Sequence, residues 1–308
     1  MRRRNDDILW KSILEEVFDD LLRFLFPAAD KLLDLQRRYE FLDKELGEMY
    51  PDPEKKPDTK FVDKLAKVYQ QDGTEECVLV HIEVQGRHDP LFAKRMFKYY
   101  CRIFDRFDLP MTAIAIFSGR DAHKLPDRFE CSYQGSVLTY KYNTLCILDY
   151  DDKDLMASDN PFALVVLAAK KALLRGKDLD KELLKQKLLI AKLLFQKGFK
   201  KRKIHAVLSF LHNYVSFAEP ETNRIFEREL DKISGKKNTM GILEAVAEIR
   251  AGEALKKGLR RGRAKGITVA KTEVVRRLLA RKGFTVKKIA DIVDVSVAFV
   301  EKVKKIKK

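Results

Sequence analysis

Two neighbouring segments of the sequence, residues 78–85 and residues 61–65, contain acidic or amide side chains that could bind a metal ion. Residues 78–85 read VLVHIEVQ, so Glu83 and Gln85 alternate with valine and isoleucine. Successive side chains of a β-strand point to opposite faces, so His81, Glu83 and Gln85 are predicted to share the polar face. Asp63 lies in the preceding segment FVDKL. Two carboxylates that converge beside a polar third group suit Mg²⁺ or Mn²⁺, because these cations prefer oxygen ligands.

The turn between the two segments decides whether Asp63 reaches that polar face. We predict strands over 60–69 and 77–85, joined by a hairpin, because the Asp72-Gly73 pair tolerates the positive φ of tight turns. A three-residue loop with Gly73 in the left-handed conformation makes paired residue numbers sum to 144. Asp63 then lies opposite His81 and diagonal to Glu83. A two-residue turn gives a sum of 145 and places Asp63 on the other face.

A cation at this place would make a bound water a better nucleophile and would neutralise charge that develops on a phosphate. The alternative is an ordinary solvated sheet face. In that case the acids form ion pairs with nearby basic residues, of which the candidates are Lys64, Lys67 and Arg95.

The surrounding elements predict a mixed α/β domain. Apolar residues at three- and four-residue intervals favour a helix over 6–26 that Pro27 stops. A second helix is expected over 90–107. Further strands are expected over 111–118 and 144–148, with a hairpin of 129–133 and 136–142 around Gln134-Gly135. We therefore divide the chain into a domain of residues 1–152, a helical extension of residues 153–250 and a basic tail of residues 251–308.

Composition excludes several classes of protein. The longest uncharged apolar stretches, 109–119 and 160–169, are far shorter than the roughly 18–20 residues of a membrane span. The first ten residues do not resemble a signal peptide. The four cysteines show no CxxC spacing, which indicates free thiols rather than a zinc site or disulfide framework. We expect a cytoplasmic protein without a membrane partner.

The net charge of +16 is concentrated in the tail, where residues 252–308 hold eighteen Lys/Arg against five Asp/Glu. Such a block can bind a phosphate backbone through counterion release. Thr285 and Ser296 are placed to cap two short helices, which together resemble a helix-turn-helix with Asp294 where glycine is usual. Helix 297–305 would enter the major groove while Lys287 and Lys288 hold phosphates. A helical hairpin that docks a partner protein is the alternative.

A further basic stripe is predicted on helix 90–107. Arg95, Tyr99, Arg102 and Arg106 follow one another at three- and four-residue spacing, so they are expected to share one helix face. That helix begins just after the Glu83–Gln85 strand. The stripe could therefore receive DNA phosphates, or it could form salt bridges with acids of the sheet.

The chain resembles the Rpn family of recombination-promoting nucleases, transposase-like proteins of the PD-(D/E)XK nuclease superfamily. An aspartate on one strand, a hairpin and Glu-x-Gln on the next resemble the superfamily signature. HIEVQG followed by RMFKYYCRIFD is the specific part. The matching segments are ILEEVFDDLLRFLFP (13–27), FLDKEL (41–46), VDKLAKVY (62–69), HIEVQGRHD (81–89), FAKRMFKYYCRIFDRF (92–107) and NPFALVV (160–166).

The resemblance implies a mixed sheet flanked by helices and a metal-dependent endonuclease that hydrolyses double-stranded DNA in breakage and recombination. It implies that Asp63, Glu83 and the Val84 carbonyl bind Mg²⁺. Gln85 stands where most of the superfamily has lysine, which puts the catalytic rate in doubt. An acid of the first helix often joins such sites, and Glu15 is preferred here over Glu16.

Two alternative functions, neither of them enzymatic, stay open. One is a nuclease fold that binds DNA without cleaving it, and the other is a protein-interaction module. A homodimer is one assembly state compatible with the sequence.

Overall fold

The structure is a computed structural model in which the chain forms two compact units, Met1–Ile242 and Leu243–Lys308. It describes residues 3–37, 39–42, 62–83, 91–120, 125–174, 176, 178–234, 271–279 and 284–305. The predicted linker and the end of the predicted helical extension, residues 235–270, lie outside the described residues.

A five-stranded mixed sheet forms the centre of the first unit, in the order β1-β2-β3-β4-β7. The first three strands pair antiparallel, whereas β3, β4 and β7 are parallel. Strands β5 and β6 form a separate hairpin. The strands are β1 Glu40–Phe41, β2 Val62–Tyr69, β3 Glu75–Glu83, β4 Met111–Phe117, β5 Arg128–Tyr133, β6 Ser136–Lys141 and β7 Asn143–Cys146. The predicted mixed α/β class and the predicted strands are confirmed over the described residues.

Helices cover both faces of this sheet. On one face, α4 packs against Leu65 of β2 and Phe117 of β4. On the other face, α1, α2 and the helices after β7 enclose Ala66, Val68 and Ile114. The helices are α1 Arg3–Glu16, α2 Phe18–Leu25, α3 Ala29–Leu32, α4 Phe92–Phe107, α5 Asp152–Ala157, α6 Pro161–Lys171, α7 Leu179–Gln196, α8 Lys201–Tyr214 and α9 Pro220–Ser234, with a 3₁₀ turn at Ile147–Asp149.

The first helical segment is broken, which corrects the prediction of one helix over 6–26. Val17 leaves the helical conformation with φ −128° and ψ 29°, and α2 begins at Phe18. Val17 is fully buried. Its apolar side chain keeps the helical spacing across the break, so the pattern alone did not reveal it. The helix ends at Leu25, just before Pro27, as predicted.

The helical region after residue 152 is packed on the sheet and shares its core. The ring of Trp10 in α1 contacts Phe210 and Tyr214 of α8, with centroids 5.2 and 5.9 Å apart. Residues of α6, α7 and α8 belong to the same buried cluster as those of α1 and the sheet. The predicted boundary after residue 152 therefore separates two kinds of element within one hydrophobic core.

A fully buried lysine joins three helical elements of this region. Lys187 of α7 is 0% exposed, and its amine donates hydrogen bonds to the carbonyls of Val215 at 2.7 Å and His212 at 3.4 Å. The amine also lies 4.4 Å from the ring centroid of Phe217 and 4.5 Å from that of Phe226. Carbonyl and aromatic partners offset the cost of burying this charge.

We expect Lys187→Ala to lower the free energy of unfolding of the first unit by about 2–4 kcal/mol, because it leaves a cavity and removes a donor from buried carbonyls. Trp10 is the one tryptophan of the chain and is buried in this unit. Its fluorescence during urea unfolding therefore reports on the first unit.

Lys185→Ala is the matched control, because Lys185 is exposed on the same helix. It should change the free energy of unfolding by no more than about 0.5 kcal/mol. Equal unfolding midpoints for the two variants would contradict a structural role for the Lys187 amine.

Within its described residues, the second unit contains three helices, which are α10 over 271–279, α11 Val286–Val293 and α12 Val297–Lys305. Their buried residues are Val275, Ile289, Ala290, Val293, Val300 and Val303. The predicted caps are confirmed, since Thr285 Oγ1 accepts from the Lys288 N–H at 3.3 Å and Ser296 Oγ from the Phe299 N–H at 3.2 Å. Asp294 ends α11 with φ 51° and ψ 64°, the left-handed conformation that favours glycine.

Asp294→Gly should stabilise the second unit by about 0.5–1 kcal/mol, because glycine adopts this conformation without steric cost. Hydrogen-exchange mass spectrometry of the full chain should show amides of α11 and α12 exchanging about two- to fivefold more slowly.

Asp291→Gly provides the opposite control. Asp291 is an exposed residue within α11, and glycine there should destabilise the helix by about 1 kcal/mol. If both variants accelerate exchange equally, the left-handed cap does not limit the stability of this unit.

Candidate active site

The hairpin between β2 and β3 has the turn on which the predicted site depends. Gly73 adopts φ +90°. The Gln70 N–H donates to the Thr74 carbonyl at 2.7 Å, and the Asp72 carboxylate accepts from the Thr74 N–H at 2.8 Å. Asp63 pairs with His81 across the strands. Paired numbers therefore sum to 144, and the predicted register is confirmed.

This register places the candidate residues at positions on the α4 face of the sheet. Leu65 belongs to the core beneath α4, and position 63 lies two residues before it on the same strand. Position 81 pairs with 63 and with Ala115. Position 83 pairs with Phe117. Ala115 and Phe117 also lie in the core beneath α4.

The structure describes Asp63, His81 and Glu83 by their backbone positions. Val84 and Gln85 lie outside the described residues, so their predicted roles stay predictions. The register does bring positions 63, 81 and 83 together on one face, with 63 opposite 81 and diagonal to 83. Diagonal neighbours across an antiparallel pair have Cα atoms roughly 7–8 Å apart, a separation that two acids can bridge through one cation.

Glu15, the preferred first-helix acid, lies on the opposite face. Its carboxylate forms an ion pair with the amine of Lys64, which is 1% exposed. The Lys64 amine is also 4.5 Å from the ring centroid of Phe41. Lys64 and Asp63 are adjacent on β2, so the pleat directs them to opposite faces. Glu15 is therefore not among the positions that the sheet brings together on the α4 face. Glu16 pairs with Arg202 instead.

The predicted stripe on α4 needs one correction. Tyr99 is 3% exposed and belongs to the core between α4 and the sheet, so it does not lie on a surface that DNA could reach. Arg102 and Arg106 are exposed, and Arg95 is half-buried. Lys98, which is not part of the predicted stripe, is also exposed. Its three-residue spacing from Arg95 was the signal that could have identified it.

The first turn of α4 lies over the carboxyl end of β4. The Phe92 ring is 5.4 Å from the Phe117 ring and 5.9 Å from that of Tyr142. Burial raises the pKa of Tyr142, and the charge of Asp127 adds to this shift while the Arg95 guanidinium opposes it. Since Phe117 pairs with position 83, α4 starts near the end of the sheet that holds the candidate residues.

A second group of acids occurs where α1 and α2 meet α8, and its partners indicate a structural role. Lys203 lies 3.0 Å from Asp19 and 2.6 Å from Asp20. Burial raises the pKa of Asp20. Burial acts in the same direction on Asp19, but hydrogen bonds from Lys203 and Arg23 lower the pKa of Asp19. Among the described side chains, no group of three His, Cys, Asp or Glu is arranged to hold a metal ion.

The two lysines predicted to hold phosphates in the tail, Lys287 and Lys288, are exposed on α11. They lie on the helix before the turn, whereas α12 is the predicted groove-reading helix.

The chain matches no protein-family model, no curated protein and no solved structure. None of the helices in the described ranges is long and apolar enough to cross a membrane.

Cross-linking should test the register directly. Lys67 pairs with Cys77, so Lys67→Cys should form a disulfide with Cys77 under mild oxidation, because directly paired positions have the Cα separation that a disulfide requires. Peptide mapping by mass spectrometry, with and without reductant, identifies the linked pair.

Val68→Cys is the control for the other register. Val68 is 2% exposed in the core on the opposite face, and it would pair with Cys77 only if paired numbers summed to 145. A disulfide in Val68→Cys and none in Lys67→Cys would overturn the placement of Asp63.

Proposed function

We propose that this protein is a metal-dependent endonuclease that hydrolyses phosphodiester bonds of double-stranded DNA, on a fold of the PD-(D/E)XK type. The observation that carries the proposal is the β2–β3 register, in which position 63 lies opposite 81 and diagonal to 83. A register shifted by one residue would separate the two acids to opposite faces. The observed register is therefore compatible with Asp63 and Glu83 acting together.

The architecture supports the fold assignment. An antiparallel β1-β2-β3 unit leads through α4 into the parallel strand β4, and helices flank the sheet on both faces. This agrees with the mixed sheet flanked by helices that the sequence resemblance implies. A role in DNA breakage and recombination, and a cytoplasmic location, follow from the resemblance and belong to the same proposal.

Asp63, Glu83 and the Val84 carbonyl are the groups that would hold the ion. Mg²⁺ or Mn²⁺ would supply a bound water of lowered pKa and positive charge beside the phosphate. The oxygen donors of Asp63, Glu83 and Val84 match the preference of these hard cations for oxygen ligands. Two like charges on neighbouring strands repel each other, and a bound cation would reduce that repulsion.

Gln85 would orient the attacking water by hydrogen bonds from its carboxamide. A lysine at this position would also contribute a positive charge to the transition state, and glutamine cannot. We therefore expect the two acids and the metal ion to account for most of the rate of cleavage. A DNA-binding protein without cleavage is the alternative that this substitution makes credible.

Asp63→Asn and Glu83→Gln should each reduce Mg²⁺-dependent plasmid nicking at least about a hundredfold, because each removes a charged metal ligand. Both changes preserve side-chain size, so the hairpin should persist. Nicking is measured on supercoiled plasmid with Mg²⁺, with Mn²⁺ and with EDTA.

Glu130→Gln serves as the matched control, because Glu130 is an exposed acid on β5. It should cleave at the parental rate. Equal cleavage by the parent and both site variants would exclude these residues as metal ligands. DNA binding without metal-dependent cleavage by the parent would favour the non-cleaving alternative.

A further inference from the structure

A line of basic side chains follows one flank of α4, and it differs from the stripe that the sequence predicted. Its members are Arg95, Lys98, Arg102 and Arg106, spaced by three, four and four residues. Lys98, Arg102 and Arg106 are exposed, and Arg95 is half-buried. Helical periodicity keeps such residues on one side.

The opposite flank of α4 is occupied by the β5–β6 hairpin. The Phe97 ring stacks on Phe129 with centroids 5.2 Å apart, and the Tyr100 ring lies 4.8 Å from that of Tyr140. The buried face of α4 carries Met96 among other residues. The hairpin therefore occupies the side of the helix opposite the basic flank. The basic flank is part of the exposed surface of α4, which also includes Lys94, Cys101 and Asp105.

The helix α4 carries far more positive than negative charge. Within residues 92–107 there are five Lys/Arg and one acid, Asp105. The basic flank extends from Arg95 to Arg106, which is eleven residue steps or about 17 Å at 1.5 Å per residue. That length corresponds to about five nucleotides at the 3.4 Å axial spacing of phosphates along one DNA strand.

The flank also has a direction relative to the candidate site. Arg95 lies within one turn of Phe92, and its guanidinium carbon is 5.4 Å from the Phe92 ring centroid. Phe92 contacts Phe117, which pairs with position 83. The line of charges thus begins near the candidate acids and runs away from them along α4.

We infer that this flank binds the phosphate backbone of a nucleic-acid strand and leads that strand to positions 63 and 83. The inference deepens the proposed function and rests on it for the destination of the strand, whereas the binding itself does not require cleavage. Single-sign charge in an extended line is typical of nucleic-acid interfaces, which are more polar and more positive than protein–protein interfaces. Contacts to phosphates do not distinguish one base from another, so binding by this flank should be independent of base sequence.

The test measures binding of the full chain to a fluorescein-labelled 30-base-pair duplex in EDTA, over a range of KCl concentrations. Lys98→Gln with Arg102→Gln should weaken binding by about tenfold or more at low salt. The slope of log K against log salt should fall by about two, one for each lost phosphate contact.

Two further variants make the result specific. Lys181→Gln with Lys185→Gln removes two exposed charges at the same four-residue spacing on α7, and it should leave the slope within about 0.5 of the parental value. Lys98→Arg with Arg102→Lys keeps both charges and should retain parental binding. Trp10 fluorescence confirms that each variant is folded.

Equal slopes for the α4 and α7 double variants would overturn the inference, even if the parent cleaves plasmid. Loss of binding in the charge-conserving variant would overturn it too, because the effect would then not arise from charge. If the α4 variant loses two units of slope while the parent does not cleave, the binding flank stands and the proposed hydrolysis fails. Displacement of the parent by poly-glutamate as readily as by DNA would indicate a general polyanion surface and would reject a nucleic-acid track.

Discussion

The three-residue turn at the end of β2 is the constraint on which the candidate site depends. Gly73 at φ +90° lets the Gln70 N–H reach the Thr74 carbonyl at 2.7 Å, and this closure fixes how every later pair aligns. Side chains alternate with a period of two, so a turn one residue shorter would move all of β2 to the opposite face relative to β3. The buried residues make that slip costly. Leu65 and Ala66 are fully buried on opposite faces of the sheet, and a slip would exchange their environments.

The same alternation separates a structural ion pair from the candidate site. Lys64 is buried on the α1 face, where Glu15 and the ring of Phe41 are its neighbours. A buried ammonium group requires such partners, since an uncompensated buried charge costs several kcal/mol. Asp63 occupies the next position and belongs to the α4 face. One strand therefore anchors the first helix through Lys64 on one face and contributes position 63 to the other face.

The sequence predicted those features whose physics is local. Alternation identified β3, and the short apolar run of residues 111–118 identified β4. The Asp72-Gly73 pair identified the hairpin that joins β2 to β3, and capping chemistry identified Thr285 and Ser296. Features set by tertiary packing were missed. Val17 keeps the apolar spacing of its neighbours, so the break between α1 and α2 left no local signal. Tyr99 was assigned to the surface because its four-residue spacing from Arg95 placed it in the basic stripe. Lys98 has a similar helical spacing from Arg95, and the orientation of the helix on the sheet buries Tyr99 and exposes Lys98. Val84 and Gln85 lie outside the described residues, so their roles stay predictions.

The position of α4 follows from the connection between two parallel strands. A helix that joins β3 to β4 must run back over the sheet before the next strand begins, so its first turn lies near the carboxyl ends of both strands. The contact between Phe92 and Phe117 is a direct consequence. The end of β3 that carries Glu83 therefore lies beside the beginning of the basic flank for topological reasons. Catalytic acids repel a phosphate backbone, so a site built on two carboxylates benefits from cations placed close by but outside it. In the proposed nuclease, the β3-α4-β4 connection would supply that arrangement with a single helix.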